Sequence, residues 1–195
     1  ALGMVTISGE IQSNGIKLNN FNGIVYPKVF DKPRDYQTLG QDESPVFVFD
    51  LQKNLIFKGK SSVKNGEFSF SFIVPKDINY DYGNGKISLY AKGLVEDELF
   101  DAHGYNLDMV IGGTSSEYID DYDGPQIDLF MNDTNFVFGG ITDKNPSLYA
   151  VLHDESGINT VGNGIGHDML AILDEESANP IVLNDFYESD INSFK

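Results

Sequence analysis

The stretch Asn65-Gly-Glu-Phe-Ser-Phe-Ser-Phe72 restricts the fold more than any other part of the chain. Phe68, Phe70 and Phe72 alternate with Ser69 and Ser71. That period of two puts three rings on one side of an extended strand and hydroxyls on the other. A helix would spread the rings around its axis. Asn65-Gly66 stands immediately before, and Asn-Gly suits a two-residue type I′ turn because both central residues need positive φ. Leu55 to Pro75 therefore reads as a β-hairpin. Pro75 has no amide hydrogen to give to a ladder and closes the second strand.

Further strands are expected at Val5–Ile11, Gly23–Phe30, Val46–Leu51, Lys86–Ala91 and Leu107–Ile111. With turn signals between them they make about seven strands, the pattern of a sandwich. Long helical periodicity is missing, and Leu94–Phe100 has room for one short helical turn at most. The aromatic residues are 14 Phe and 10 Tyr with no Trp, a set suited to pleated, half-buried surfaces.

Between Thr114 and Gly124 the composition shifts to turn formers, which marks a linker. Two modules are expected, 1–118 and 119–195. Strands of the second are expected at Ile127–Met131, Ser147–Leu152, Met169–Leu173 and Ile181–Leu183. Those are too few for an immunoglobulin-like sandwich of ~100 residues. The last residues, Asp185 to Lys195, show no closing strand. The expected fold is all-β, two tandem β-sandwich modules, the second immunoglobulin-like and incomplete.

Charge and cysteine content remove several function classes. The 30 acidic and 13 basic residues give a formal net charge of −17, which disfavours nucleic acid and anionic lipid as partners. There is no cysteine, so thiolate catalysis, disulfides and cysteine metal sites are ruled out. No apolar run approaches the ~20 residues of a membrane span, so no direct membrane insertion is expected. Ala1-Leu-Gly-Met4 is too short and uncharged for a signal peptide, so an exported chain would be an excised piece.

The densest loop chemistry is Asp154-Glu-Ser-Gly-Ile-Asn-Thr-Val-Gly-Asn-Gly-Ile-Gly-His-Asp168. Gly162, Gly164 and Gly166 miss the dinucleotide fingerprint, whose third glycine comes three residues after the second and opens a helix. His167 and Asp168 are adjacent, so in an extended chain they point to opposite faces and cannot act as a pair. His103 and His153 are too scattered to make a zinc site with them. No catalytic residue is expected.

Asp120, Asp121 and Asp123 form the better candidate, since an oxygen-rich linker can bind calcium. EF-hand spacing is excluded, because with Gly124 at the sixth position the first and twelfth would be Ile119 and Phe130. Solvated turns are the simpler reading. A second cluster, Asp77 to Gly83, also misses the spacing by one. No cofactor is required; calcium is the one ion the pattern admits. Tyr80, Tyr82, Tyr90 and Tyr105 could make a sugar platform or an amphipathic edge with wet hydroxyls. Asn132-Asp-Thr134 is a glycosylation sequon, without meaning in a bacterial protein.

The run Ser156 to Asp168, with Ala171-Ile-Leu-Asp174 and Val182-Leu-Asn-Asp-Phe-Tyr-Glu188, resembles the C-terminal, post-catalytic region of the PorU family. These are the gingipain-related cell-surface sortases of the Bacteroidetes type IX secretion system. Phe21-Asn-Gly23, Phe30-Asp-Lys32, Phe72 to Tyr80, Gly85 to Ala91 and Asp123 to Ile127 agree with it. In that family the catalytic Cys and His belong to a caspase-like domain upstream, so the resemblance implies a noncatalytic scaffold. It further implies a surface-exposed, outer-membrane-associated location. The implied partners are the upstream peptidase domain, client proteins and other secretion components. Family members continue past Lys195, which implies further strands. The alternative from the residues themselves is a calcium-dependent adhesin or a carbohydrate-binding module.

Overall fold

The computed structural model describes residues 3–76, 78–116, 123–159, 168–174 and 178–194. The chain runs through β1 (Met4–Glu10), β2 (Gln12–Ser13), β3 (Ile16–Lys17), β4 (Asn22–Phe30), β5 (Arg34–Gln37) and β6 (Val48–Leu51). It continues with β7 (Leu55–Lys58), β8 (Ser61–Lys64), β9 (Glu67–Ile73), β10 (Gly83–Asn84), β11 (Lys86–Val95), β12 (Glu98–Asn106) and β13 (Val110–Ile111). Then come β14 (Gln126–Met131), β15 (Leu148–His153), β16 (Leu170–Ala171), β17 (Ile181–Val182) and the 3-10 turn Asn184–Phe186. The fold is all-β. Its main sheet is antiparallel in the order β1-β9-β8-β4-β11-β12, with β7 also on β4, and it curls as sandwich sheets do.

The turns explain the strand order. Asn65 and Gly66 take φ of 51° and 74° and close β8 onto β9, as their sequence requires. Asn14-Gly15 makes the same turn between β2 and β3. Glu96 and Asp97 do so at 51° and 68° without a glycine, joining β11 to β12. The helical turn expected at Leu94–Phe100 is therefore corrected to a hairpin, because positive φ at two successive residues cannot belong to a right-handed helix. The strand expected at Leu107–Ile111 shrinks to Val110–Ile111, and the long strand lies before it, in β12.

β9 is the spine of the core. Phe68, Phe70 and Phe72 are buried on one side and stack in series, with Phe57 of β7 laid parallel to Phe72 at 4.7 Å. Val25 and Val29 of β4 are 0% exposed beneath them. Each such side chain contributes about 1.5–3 kcal/mol by leaving water. On the outer side Ser8 and Ser69 pair at 3.0 Å and Thr6 and Ser71 at 2.8 Å, so both faces of the alternating segment are satisfied. Among the described residues, every buried apolar side chain lies between Ile11 and Ala91.

β7 and β8 lie on the same side of β4 and are separated at Gly59-Lys60. Pro27 causes the break. Its carbonyl accepts the Gly59 amide at 3.2 Å, but it has no amide to return on that side. The Lys60 backbone, which points away from β4, is taken up by the end of the chain. Ile191 forms a parallel bridge to Lys60, and the Asn192 amide donates to the Lys60 carbonyl at 2.9 Å. The last described residues thus lie against the main sheet, although the sequence shows no closing strand there.

Candidate functional site

Asp120 and Asp121 lie outside the described residues; Asp123 is exposed just before β14. Asp77 is also outside, as are residues 160–167, which contain the glycine run and His167. What is described of that loop is structural: the Asp154 carboxylate accepts the Ser156 amide at 2.7 Å, a local side-chain turn. Asp168 is exposed. His103 stands on β12 opposite Tyr90, and His153 on β15 opposite Gln126, in separate sheets. Among the described residues no three His, Asp or Glu side chains come together as metal donors.

Asn79 and Asp81, from the second acidic cluster, serve a charge pair that the sequence did not single out as a site. Asp31 and Lys32 directly follow β4 and are both buried. The Lys32 ammonium lies 2.8 Å from one Asp31 oxygen, without hydrogen-bond alignment, and donates to the Asn79 carbonyl at 2.7 Å. The other Asp31 oxygen accepts the Asn79 amide at 3.3 Å, and the Asn79 side chain accepts the Asp81 amide at 2.9 Å. An internal ammonium thus occupies this nest of oxygens. The signal was an Asp-Lys pair at the end of an apolar strand, where a charge would normally leave the sheet for water.

The tyrosines are distributed over a loop and the sheet. Tyr80 donates to the Lys76 carbonyl, and Tyr82 stands over Gly112 and Gly113. Tyr90 on β11 packs against Tyr26 at 6.1 Å, and Tyr105 faces Ser88 from β12. Asn132 of the sequon is bound up in its own loop. It sits at φ 68°, donates to Thr142 and Asp143, and accepts the Ser147 amide at 2.9 Å.

Two places offer contact surface or a junction. The hairpin β5–β6 is an exposed arm, with Tyr36, Phe47 and Phe49 stacked along one side at 6.1 and 6.4 Å. On its other side Asp35 faces Asp50 across the ladder. They share a hydrogen bond, which together with the charge of Asp35 raises the Asp50 carboxyl above its ordinary pKa.

The second place is the strap of residues 187–194 on β7 and β8. The Asn192 side chain accepts the Ser62 amide at 2.8 Å and the Ser61 hydroxyl at 3.1 Å, and donates to the Ser62 hydroxyl at 2.6 Å. Lys60 pairs with Glu188, and Lys58 donates to the Tyr187 carbonyl at 3.3 Å. The hydrogen bond from Lys60 and then its charge lower the Glu188 carboxyl below its usual range. Burial, with Asp190 nearby, pushes the Tyr187 hydroxyl up. Phe194 packs against the core, and its carbonyl accepts the Ile158 amide. This junction ties the segment after Asp154 to the main sheet.

Comparison with protein-family models matches none, and comparison with curated protein sequences matches none. Among solved structures the chain is similar to the crystal structure of dimeric latent PorU from Porphyromonas gingivalis. The likeness has 31% sequence identity and a TM-score of 0.56 and covers 95% of this chain. The chain spans 17% of the length of that one. Over nearly its whole length, then, this chain is similar to a part of PorU.

Proposed function

We propose that the chain is the noncatalytic β-rich region that follows the peptidase domain in a PorU-like cysteine peptidase or sortase. There it scaffolds that domain at the cell surface and contacts client proteins or other components of type IX secretion. The likeness of nearly all of this chain to a part of PorU carries this reading. The exposed aromatic arm of Tyr36, Phe47 and Phe49 supports a contact role, since an uncovered apolar patch on a folded protein marks an interaction surface. The Asp31–Lys32 pair, packed against backbone carbonyls, supports a structural rather than a chemical use of buried charge.

The test takes the 195-residue chain and the separately produced peptidase portion of the longer protein. The chain alone is expected to hydrolyse no peptide substrate and to bind the peptidase portion in calorimetry. Phe47→Ser with Phe49→Ser is expected to weaken binding to the peptidase portion or to a client about tenfold. Peptide hydrolysis by the chain alone would overturn the noncatalytic reading. Failure to bind the peptidase portion would overturn the scaffold.

A further inference from the structure

The main sheet buries one face of β4 and β11 and leaves the other open. Val25 and Val29 on β4 and Ile87 and Ala91 on β11 are in the core. The residues that alternate with them therefore point outward. The register sets Phe30 against Lys86, Lys28 against Ser88, Tyr26 against Tyr90 and Ile24 against Lys92 on that outer face. Lys58 of β7 faces Lys28 from the other side. Four of the chain's 13 basic residues thus share one face. Tyr26 and Tyr90, with ring centroids 6.1 Å apart, form its centre. Lysines flank that centre at both ends, and Lys86 and Lys92, six residues apart on one strand, span about 20 Å.

These cations are held in place without being neutralised. The Lys86 ammonium lies 4.3 Å from the Phe30 ring centroid, and the Lys92 ammonium 5.4 Å from that of Tyr26. A cation over an exposed ring is weakly held and keeps its charge open to a partner. Among the described residues Lys28, Lys86 and Lys92 pair with no carboxylate, in a chain of 30 acidic residues. Asp101 on β12 faces Lys92 and is the one carboxylate in the outward rows of β4, β11 and β12. Glu98 faces Val95, on the core side of the register. Glu188 of the strap lies near Lys58 but is paired with Lys60. The face is therefore positive although the chain carries −17, and at physiological salt a charge acts over only about 8 Å.

The donor set decides which anion fits. Phosphate and sulfate are held by arginine forks, or by backbone amides at helix N-termini and nests. β4 and β11 are interior strands, so their amides serve the ladders, and the chain's one arginine, Arg34, is on β5. What remains is a set of point-like ammoniums, which suit single carboxylates. A sugar ring stacks on a clear aromatic face, whereas here ammoniums lie over Phe30 and Tyr26. Carboxylates of a polypeptide fit this face better than a glycan does.

We propose that this face binds an acidic segment of a partner protein, which sets an aromatic or apolar side chain on Tyr26 and Tyr90 and carboxylates on Lys28, Lys86 and Lys92. An aromatic centre inside a charged rim is the usual anatomy of an interaction hot spot. The face belongs to the main sheet and the β5–β6 arm to a separate one, so this is a second contact surface, selected by charge. It goes beyond the contact role given above and does not rest on the likeness to PorU.

Amide NMR of the 195-residue chain, titrated with the peptide Glu-Glu-Ser-Gly-Tyr-Gly-Ser-Glu-Glu, tests the face. The glutamates second from each end of that peptide have the same spacing as Lys86 and Lys92. Saturable shifts are expected along β4 and β11, with a Kd below about 1 mM. Lys28→Glu with Lys86→Glu is expected to weaken binding at least about tenfold. Lys53→Glu with Lys144→Glu makes the same change in charge away from the face and is expected to alter it less than about twofold. Tyr90→Thr removes half of the aromatic centre and is expected to weaken binding about threefold. If the first pair fails to fold, Lys28→Gln with Lys86→Gln makes the same test. The absence of saturable shifts would overturn the proposal. So would shifts centred on the arm, equal weakening by the two lysine pairs, or a hyaluronate oligosaccharide, a carboxylated glycan, binding more tightly than the peptide.

Discussion

β9 and the hairpin β14–β15 are built from the same kind of alternating pattern, and they end in opposite circumstances. On β9 the three phenylalanines are buried and the serines face water. On β14–β15 one face carries Ile127, Leu129 and Met131 with Leu148, Ala150 and Leu152 opposite them, wholly apolar by its register. Yet Ile127, Leu129 and Leu148 are exposed, and Phe138 and Ile141 in the connecting loop are 100% exposed. Alternation therefore specifies which face of a strand is apolar, while burial depends on what is stacked against it. The first region brings its own cover, and among the described residues the segment after Asp154 meets the main sheet at the strap of residues 187–194.

The largest effect that would break this comparison comes from the core. Phe72→Ala should cost about 3–5 kcal/mol of unfolding free energy, while Phe138→Ala should change it by less than about 0.5 kcal/mol. Urea titration of both variants checks the contrast, and equal losses would refute it. Next in size, Lys32→Ala leaves the Asp31 carboxylate buried without its cation and should cost about 3 kcal/mol in the same assay.

Asn192→Gly sharpens the role of the strap. Asn192 sits at φ 59°, which glycine tolerates, so the substitution removes the amide contacts to Ser61 and Ser62 with little backbone strain. A loss of about 1–2 kcal/mol is expected, with faster hydrogen exchange at residues 187–194 and none at β9.

The smallest effects are those of pH, and they differ in sign between the arm and the strap. Glu188 has its pKa lowered in the folded chain, so its contribution is present above the unfolded pKa and lost as pH falls through the folded one. Asp50 has its pKa raised, so its contribution is present below the unfolded pKa and lost as pH rises through the folded one. Acidification should loosen the strap and tighten the β5–β6 arm. Carboxyl NMR titration with amide exchange in both segments would show it, and a shift of the same sign in both would refute it.

Much of the main sheet is legible in the sequence because its signals are local. Asn65-Gly66 and the Phe-Ser alternation fix one hairpin, and strands at β1, β4 and β11 follow from alternation alone, as do β14 and β15 of the separate hairpin. Glu96-Asp97 is hard to read, since Asp tolerates positive φ but Glu does not signal it and no glycine follows, and the adjacent Leu99 and Phe100 interrupt the alternation of β12. The strap is illegible for another reason: its bridge, its asparagine and its lysine partners all meet strand residues more than 120 positions earlier, with no local pattern to announce them. Of the candidate sites, the loop chemistry that begins at Asp154 is readable from its sequence. The Asp31–Lys32 pair is not, because only the fold brings the Asn79 and Ile111 carbonyls to the ammonium.

Amide hydrogen exchange on the 195-residue chain most directly tests the contrast between a self-covered first region and an uncovered second one. Strong protection is expected in β1, β4, β8, β9 and β11, lower protection at residues 187–194, and near-free exchange on both strands of β14–β15. Protection in β14–β15 equal to that of β9 would contradict the account.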